Sequence, residues 1–310
     1  MQKAFQVLKK SKSLLGNEQT HIPKLYVMPH GMLDPYFQRA PDRKLKALRN
    51  WIFWKIIENK IVNQADALLF TCETELLLAR ETFSRYKPKK EINVGYGIEA
   101  PPAFVISMRD AFSKICPGII GDSPYLLFLS RVDPKKGVDL LLKAYLSILD
   151  QRTTLGMATP KLVIAGPGME TQYGQQMKQL VQEHKQGLNA VLFPGMISGD
   201  AKWGAFYGCE AFVLPSHQEN FGIAVAEALA CSKPVLISNQ INIWREIKKS
   251  EAGIISDDTL EGTIEILKKW FILSVDHKSM MSNKASECFR NFFTIEPAAH
   301  KLYNAVKRDS

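Results

Sequence analysis

The sequence predicts an α/β protein of two domains built on parallel sheets, the first of them incomplete. Three observations carry that expectation. At 310 residues the chain is long enough for two hydrophobic cores. Short apolar runs of strand length alternate with helix-forming segments along most of it, the pattern of βαβ units. The best defined is 211–237, AFVLPSHQENFGIAVAEALACSKPVLI: a buried strand at 211–214, a polar loop at 216–222, a helix at 223–231 and a second strand from 234. In such a unit ligands sit where the loop meets the helix N-terminus.

Composition narrows the class. Hydrophobic content of 46% and charged content of 23% are those of a globular protein. No apolar run approaches the roughly 18 residues of a membrane span, and residues 1–20 lack the uninterrupted apolar core of a signal peptide. Cys72, Cys116, Cys209, Cys231 and Cys288 are scattered with no CxxC, which fits a reduced, cytoplasmic compartment. The net charge of +9 favours an anionic partner. With no zinc-finger spacing, RNP-like motif or long basic block, nucleic acid is not the expected one; a phosphorylated substrate or an anionic membrane surface is.

Taken in order, residues 4–15 read as a basic helix and 24–28 (KLYVM) as a strand that runs into the loop PHGMLDP. His30 in that loop is either a solvated side chain or a group placed where α/β domains keep their chemistry. Residues 42–60 form a helix with six Lys/Arg, two acidic residues and the cluster Trp51, Phe53, Trp54, Ile56, Ile57. It either packs its aromatics inward or offers a basic amphipathic surface to anionic lipid. A strand at 67–71, a helix at 73–86 and a strand with its turn at 92–98 follow, and 101–122 reads as a linker.

The second domain opens with a strand at 125–129 (YLLFL), then SRVDPKKG and an amphipathic helix. Arg131 and Lys136 share that strand-end loop, where two cations grip one diphosphate or merely serve surface ion pairs. A strand at 162–168 carries GPG, too little for the dinucleotide fingerprint GxGxxG, which disfavours an NAD-dependent enzyme. A helix at 170–185, a strand at 191–194, the loop Gly195, Met196, Ile197 and a short helix at 201–207 lead into the 211–237 unit. There the first helix amides, around Gly222 and Ile223, lack intrahelical partners and present partial positive charge. Glu219 and Glu227 are separated by seven residues, one in the loop and one in the helix among small apolar neighbours. A carboxylate in such company needs a partner. Helices at 244–249, 262–274, 279–289 and 295–307 complete the chain.

The segment HQENFGIAVAEALACSKPVL resembles the donor-site signature of the GT-B-fold, retaining glycosyltransferases of family 4. SRVDPKKG is similar to the R-x4-K-G motif of the same family, with Gly137 in register, and PHGM to its cleft histidine segment. The resemblance implies a GT-B-like fold of two Rossmann-like domains. It divides the chain into a partial acceptor-side domain at 1–118, a nucleotide-sugar domain at 119–291 and a C-terminal helix at 292–310 that crosses back. It implies that Arg131 and Lys136 bind the donor diphosphate and Glu227 the ribose. Glu219 with Asn220, Phe221, Gly222 and Ile223 would hold the donor sugar, Gly195, Met196 and Ile197 would edge the base, and His30 would contact donor or acceptor; His30, Arg131, Lys136 and Glu219 are the catalytic candidates. Where the family has an Asn-Gly pair, this chain has Tyr96 and Gly97.

The implied activity is transfer of a sugar from a nucleotide-diphosphate sugar to a glycan or lipid-linked acceptor with retention, as in cell-surface polysaccharide synthesis. No D-x-D metal motif occurs, so neither metal nor other cofactor is expected. A cytoplasmic protein is expected, peripheral on the inner face of the plasma membrane if the 42–60 helix meets lipid. Only about three strands precede the linker, where a doubly wound domain has about five or six. The expectation is therefore an N-terminally truncated family member, and the competing reading is a catalytically impaired sugar-nucleotide-binding or partner protein.

Overall fold

The computed structural model describes residues 24–40, 43–119, 121 and 123–307. The helix expected at 4–15 lies outside them. The chain forms two compact units, Met1–Val94 with Asn304–Ser310, and Gly95–Tyr303.

In the first unit three parallel strands, β1 (Tyr26–Val27), β2 (Ala67–Phe70) and β3 (Glu91–Asn93), lie in the order β1-β2-β3. Strand periodicity sends β2 side chains alternately to two faces. Leu68 and Phe70 pack with Leu33, Trp54, Val62 and Ala79, while Ala67 and Leu69 pack with Val94 and Ala305. Ala305 belongs to the Ile295–Lys307 helix. The expected 42–60 helix is a longer run: Lys44–Phe53, a π-helical turn Trp54–Glu58, then Asn59–Gln64. Trp54 anchors it, stacked on Phe83 at 4.6 Å and donating from Nε1 to the Ser84 carbonyl at 3.0 Å.

The second unit holds a six-stranded, wholly parallel sheet in the order β6-β5-β4-β7-β8-β9. Its strands are β4 (Tyr125–Leu129), β5 (Lys161–Ala165), β6 (Val191–Gly195), β7 (Ala211–Leu214), β8 (Val235–Ser238) and β9 (Gly253–Ser256). Apolar residues fill all of β7 and β8 except Ser238, and both strands are buried throughout, as a sheet covered on both faces requires. Counted within the unit, the order is 3-2-1-4-5-6, so the winding reverses between β4 and β7. Ligands of such sheets bind beyond the strand carboxyl ends at that switch point.

Two features differ from expectation. The stretch 101–122, read as a linker, contains the Ile106–Ile115 helix. Phe112 of that helix packs against Tyr125 of β4, and Tyr207 donates to the Pro102 carbonyl at 2.9 Å. The strand β9, an edge strand of four half-buried residues, was not anticipated.

Candidate functional site

The loops after β4 and β7 are fastened to one another. After β4, Asp133 caps a single 3-10 turn, Pro134–Lys136, through its side chain, and Gly137 follows at φ 67°. A Cβ on Gly137 would lie 2.2 Å from the Pro215 carbonyl oxygen, so only glycine allows this approach. His217 N and Ser216 Oγ both donate to the Lys135 carbonyl, at 2.8 and 3.0 Å. The β7 loop is held on its other side by the loop after β8: Glu219 N donates to Gln240 O and Asn242 N to Glu219 O, each at 3.0 Å.

This bracing presses Lys136 and Glu219 together. Their side chains form an ion pair with only 10% and 18% exposure. Burial pushes the Lys136 ammonium down to about 8, repulsion from Lys135 and Arg131 adds to it, and Asp133 opposes. The Glu219 contact likewise favours the charged amine. Arg131 is exposed and has no ion-pair partner among the described residues, yet lies near enough for its charge to act on Lys136. The loop thus carries one neutralised, buried cation and one uncompensated, exposed cation.

Beyond Glu219, the Asn220 and Phe221 backbone leads to Gly222 at φ 76°, which starts the Ile223–Ala230 helix without a side-chain cap. Its first amides stay available for an anion. Phe221 is buried edge-on against Tyr96 at 4.9 Å and Phe293 at 5.6 Å, whereas Ile223 is exposed. Glu227, in the second turn, accepts from Lys202 Nζ at 2.7 Å. Of the β6 loop, Gly195 has φ 78° and accepts from Gly166 N at 2.8 Å, Met196 is 73% exposed, and Ile197 is buried.

Every candidate named from the sequence except His30 therefore falls in the second unit. His30 belongs to the first, exposed and with φ 50°, on a loop fixed by the buried carboxylate of Glu75. That carboxylate accepts from Gly31 N at 2.6 Å and from Thr71 N and Oγ1 at 2.8 and 2.6 Å. The sequence reading missed Glu75, Lys202, Tyr96 as a packing partner of Phe221, and the His217–Asp258 pair. In that pair His217 Nδ1 lies 2.8 Å from Asp258 Oδ2. The Asp258 hydrogen bond and charge, with Asp139 assisting, raise the His217 imidazole above its ordinary value against the effect of burial. A carboxylate three residues past an (S/T)-rich helix entry was a legible sign for Glu75; the Lys202 and Asp258 partners lie too far along the chain for any local pattern.

Known proteins share the family and the fold of this chain. Residues 113–287, over half the chain, match the family model described as glycosyl transferases group 1. An uncharacterized glycosyltransferase of Methanocaldococcus jannaschii is 31% identical over 159 residues, covering 49% of this chain and 38% of the relative. The chain spans less than half the length of that relative. Sucrose-phosphate synthase from Thermosynechococcus elongatus superposes with a TM-score of 0.71 at 20% identity, over 99% of this chain and 73% of that one. HepE from Anabaena, solved with UDP and glucose, gives a TM-score of 0.64 at 16% identity, over 99% and 76%. These likenesses show the fold, a GT-B-like α/β architecture with parallel sheets.

Proposed function

Since the chain belongs to the glycosyl transferases group 1, we propose that it moves a sugar from a nucleotide-diphosphate sugar to a glycan or lipid-linked acceptor with retention, as in cell-surface polysaccharide synthesis. One observation carries the reading: the buried Lys136–Glu219 pair beside exposed Arg131, at the switch point of the six-stranded sheet. An entering diphosphate takes the two cations and competes with Glu219 for Lys136. Glu219 is then released to accept hydroxyl hydrogen bonds from the donor sugar, alongside the amides that follow Asn220. Glu227 takes the ribose and the Gly195–Ile197 loop edges the base. His30 is assigned a contact to donor or acceptor from the family resemblance alone.

In glycosyl transfer, negative charge builds on the departing diphosphate as the sugar becomes oxocarbenium-like. Cations and helix amides fixed beside that charge stabilise the transition state more than the bound donor. In this reading they take the place of a metal. The test is release of nucleoside diphosphate from a panel of sugar nucleotides with glycan and lipid-linked acceptors. UDP-glucose comes first, given the fold shared with a chain solved with UDP and glucose. Acceptor-dependent release supports transfer. Binding without release supports the alternative, a sugar-nucleotide-binding protein, which is favoured by a first sheet of three strands among the described residues.

A peripheral contact with anionic membrane is the second part of the proposal. Along the Lys44–Gln64 helical run the first four turns bury only a narrow stripe, Ala47, Asn50, Trp54 and Glu58, which broadens at the C-terminal end to Asn59, Ile61, Val62 and Asn63. Leu45, Leu48, Trp51, Ile52, Phe53, Ile56 and Ile57 are all exposed, interleaved with Lys44, Lys46, Arg49, Lys55 and Lys60. An outward helix face is ordinarily polar; apolar side chains among cations suit an anionic lipid surface. No helix among the described residues is long and apolar enough to cross a membrane.

A further inference from the structure

We propose that Lys202 is a positioning residue that sets the Glu227 carboxylate for a ribose diol, so that the site distinguishes ribonucleotides from 2′-deoxyribonucleotides. The proposal rests on the nucleotide-diphosphate reading given above. Lys202 comes from the first turn of the Gly199–Gly208 helix, directly after the β6 loop, whereas Glu227 comes from the helix after β7. Its Nζ lies 2.7 Å from Glu227 Oε1 and 4.1 Å from the centre of the Trp203 ring. The two side chains are 24% and 16% exposed. The ammonium is thus held from two directions, by a carboxylate and by an aromatic face.

Glu227 Oε2, by contrast, has no hydrogen-bond partner among the described residues. A glutamate on a helix samples several rotamers, and most would carry its oxygens away from any given ligand. Lys202 removes that freedom through one oxygen and leaves the other as an acceptor. A carboxylate so fixed accepts from the adjacent 2′ and 3′ hydroxyls of a ribose. A 2′-deoxy sugar offers one donor fewer, and a site built to accept a hydroxyl discriminates against an analogue without it.

Calorimetric titration decides this, with UDP, GDP and their 2′-deoxy counterparts added to the full chain. The wild type is expected to prefer the ribonucleotide by about 10- to 100-fold, the scale of a hydrogen bond to a charged group. Lys202→Met should lose about tenfold in ribonucleotide affinity and clearly less in deoxynucleotide affinity, since the deoxy sugar keeps only the 3′ contact. Lys202→Arg, which still donates to the carboxylate, should keep most of the preference. Lys202→Met with Glu227→Gln should lose no more than Glu227→Gln alone, because the two act through one contact. A Lys202→Met variant that keeps the wild-type ratio, or weakens both nucleotides equally, would overturn the proposal and leave Lys202 as a tie between helices. Failure of the wild type to bind any of the four would overturn the nucleotide reading itself, and this proposal with it.

Discussion

An ammonium with a tenth of its surface exposed is costly to keep charged, and Lys136 is held there by its fit against Glu219 and the loop above it. That cost becomes useful if a diphosphate arrives, because a desolvated cation interacts with it more strongly than one in water. Replacing either Arg131 or Lys136 by Ala should lower turnover about 10²–10³-fold, ~3–4 kcal/mol, the size of losing one charge-stabilising donor. Unchanged kcat in either variant would remove the diphosphate role. Because the Lys136 amine sits at about 8, donor affinity should also fall as pH rises through that value, and the fall should vanish in Lys136→Met. The pH dependence that His217 carries is one of stability rather than of donor affinity. Its folded pKa is raised, so the stability it contributes is fully present below its unfolded value of about 6.5 and lost as pH rises through the folded value. The melting-temperature gap between wild type and Asp258→Asn should therefore be widest in acid and close towards alkaline pH; a gap independent of pH would assign the pair a packing role only. Arg131, Lys136, Glu219 and Glu227 were legible because each sits in a local motif. Lys202 and Asp258 were not, since their pairings depend on tertiary placement.

Among the elements, the 3-10 turn at Pro134–Lys136 and the β7 loop act as one piece, joined by the Lys135 carbonyl and the bare Cα of Gly137. Gly137→Ala should force these loops apart, costing about 1–3 kcal/mol for the left-handed conformation and more for the clash. Denaturant melts would show the loss, and nucleotide binding should weaken with it. Wild-type stability would mean the loops relax freely. The boundaries of β4, β7, the Trp244–Lys249 helix and the Ile295–Lys307 helix follow their apolar periodicity closely. The Ile106–Ile115 helix escaped because only Met108 and Phe112 are buried, a signal too sparse beside two prolines. The π-helical turn at Trp54–Glu58 has no sequence signature, yet it sets which apolar residues face outward from the Lys44–Gln64 run. Sedimentation with vesicles tests that face. Wild type should bind phosphatidylserine vesicles, salt should weaken the binding, and Trp51→Ser with Ile52→Ser and Ile56→Ser should abolish it. Equal sedimentation with neutral vesicles, or no effect of the triple variant, would end the lipid reading.

At the scale of the whole chain, the second unit was legible almost in full and the first only in outline. Strands buried on both faces announce themselves as continuous apolar runs, as β4, β5, β7 and β8 do, and the edge strand β6 was still legible from its Val191–Phe193 run. The first unit's strands are two to four residues long, with β1 and β3 half-buried, so sequence placed them but not their ends. The segment matching the glycosyl transferase family lies entirely within the second unit, as do all the cations and carboxylates assigned to the donor. In the proposed function the loops after β4 and β7 bind a nucleotide diphosphate. Calorimetric titration of the preferred sugar nucleotide into wild type, the Arg131→Ala/Lys136→Ala double variant and a Lys143→Ala surface control tests it most directly. Saturable binding by wild type and control is expected, with at least about a 100-fold weaker affinity for the double variant, the scale of one lost charge-assisted contact. Wild-type affinity in the double variant would contradict it.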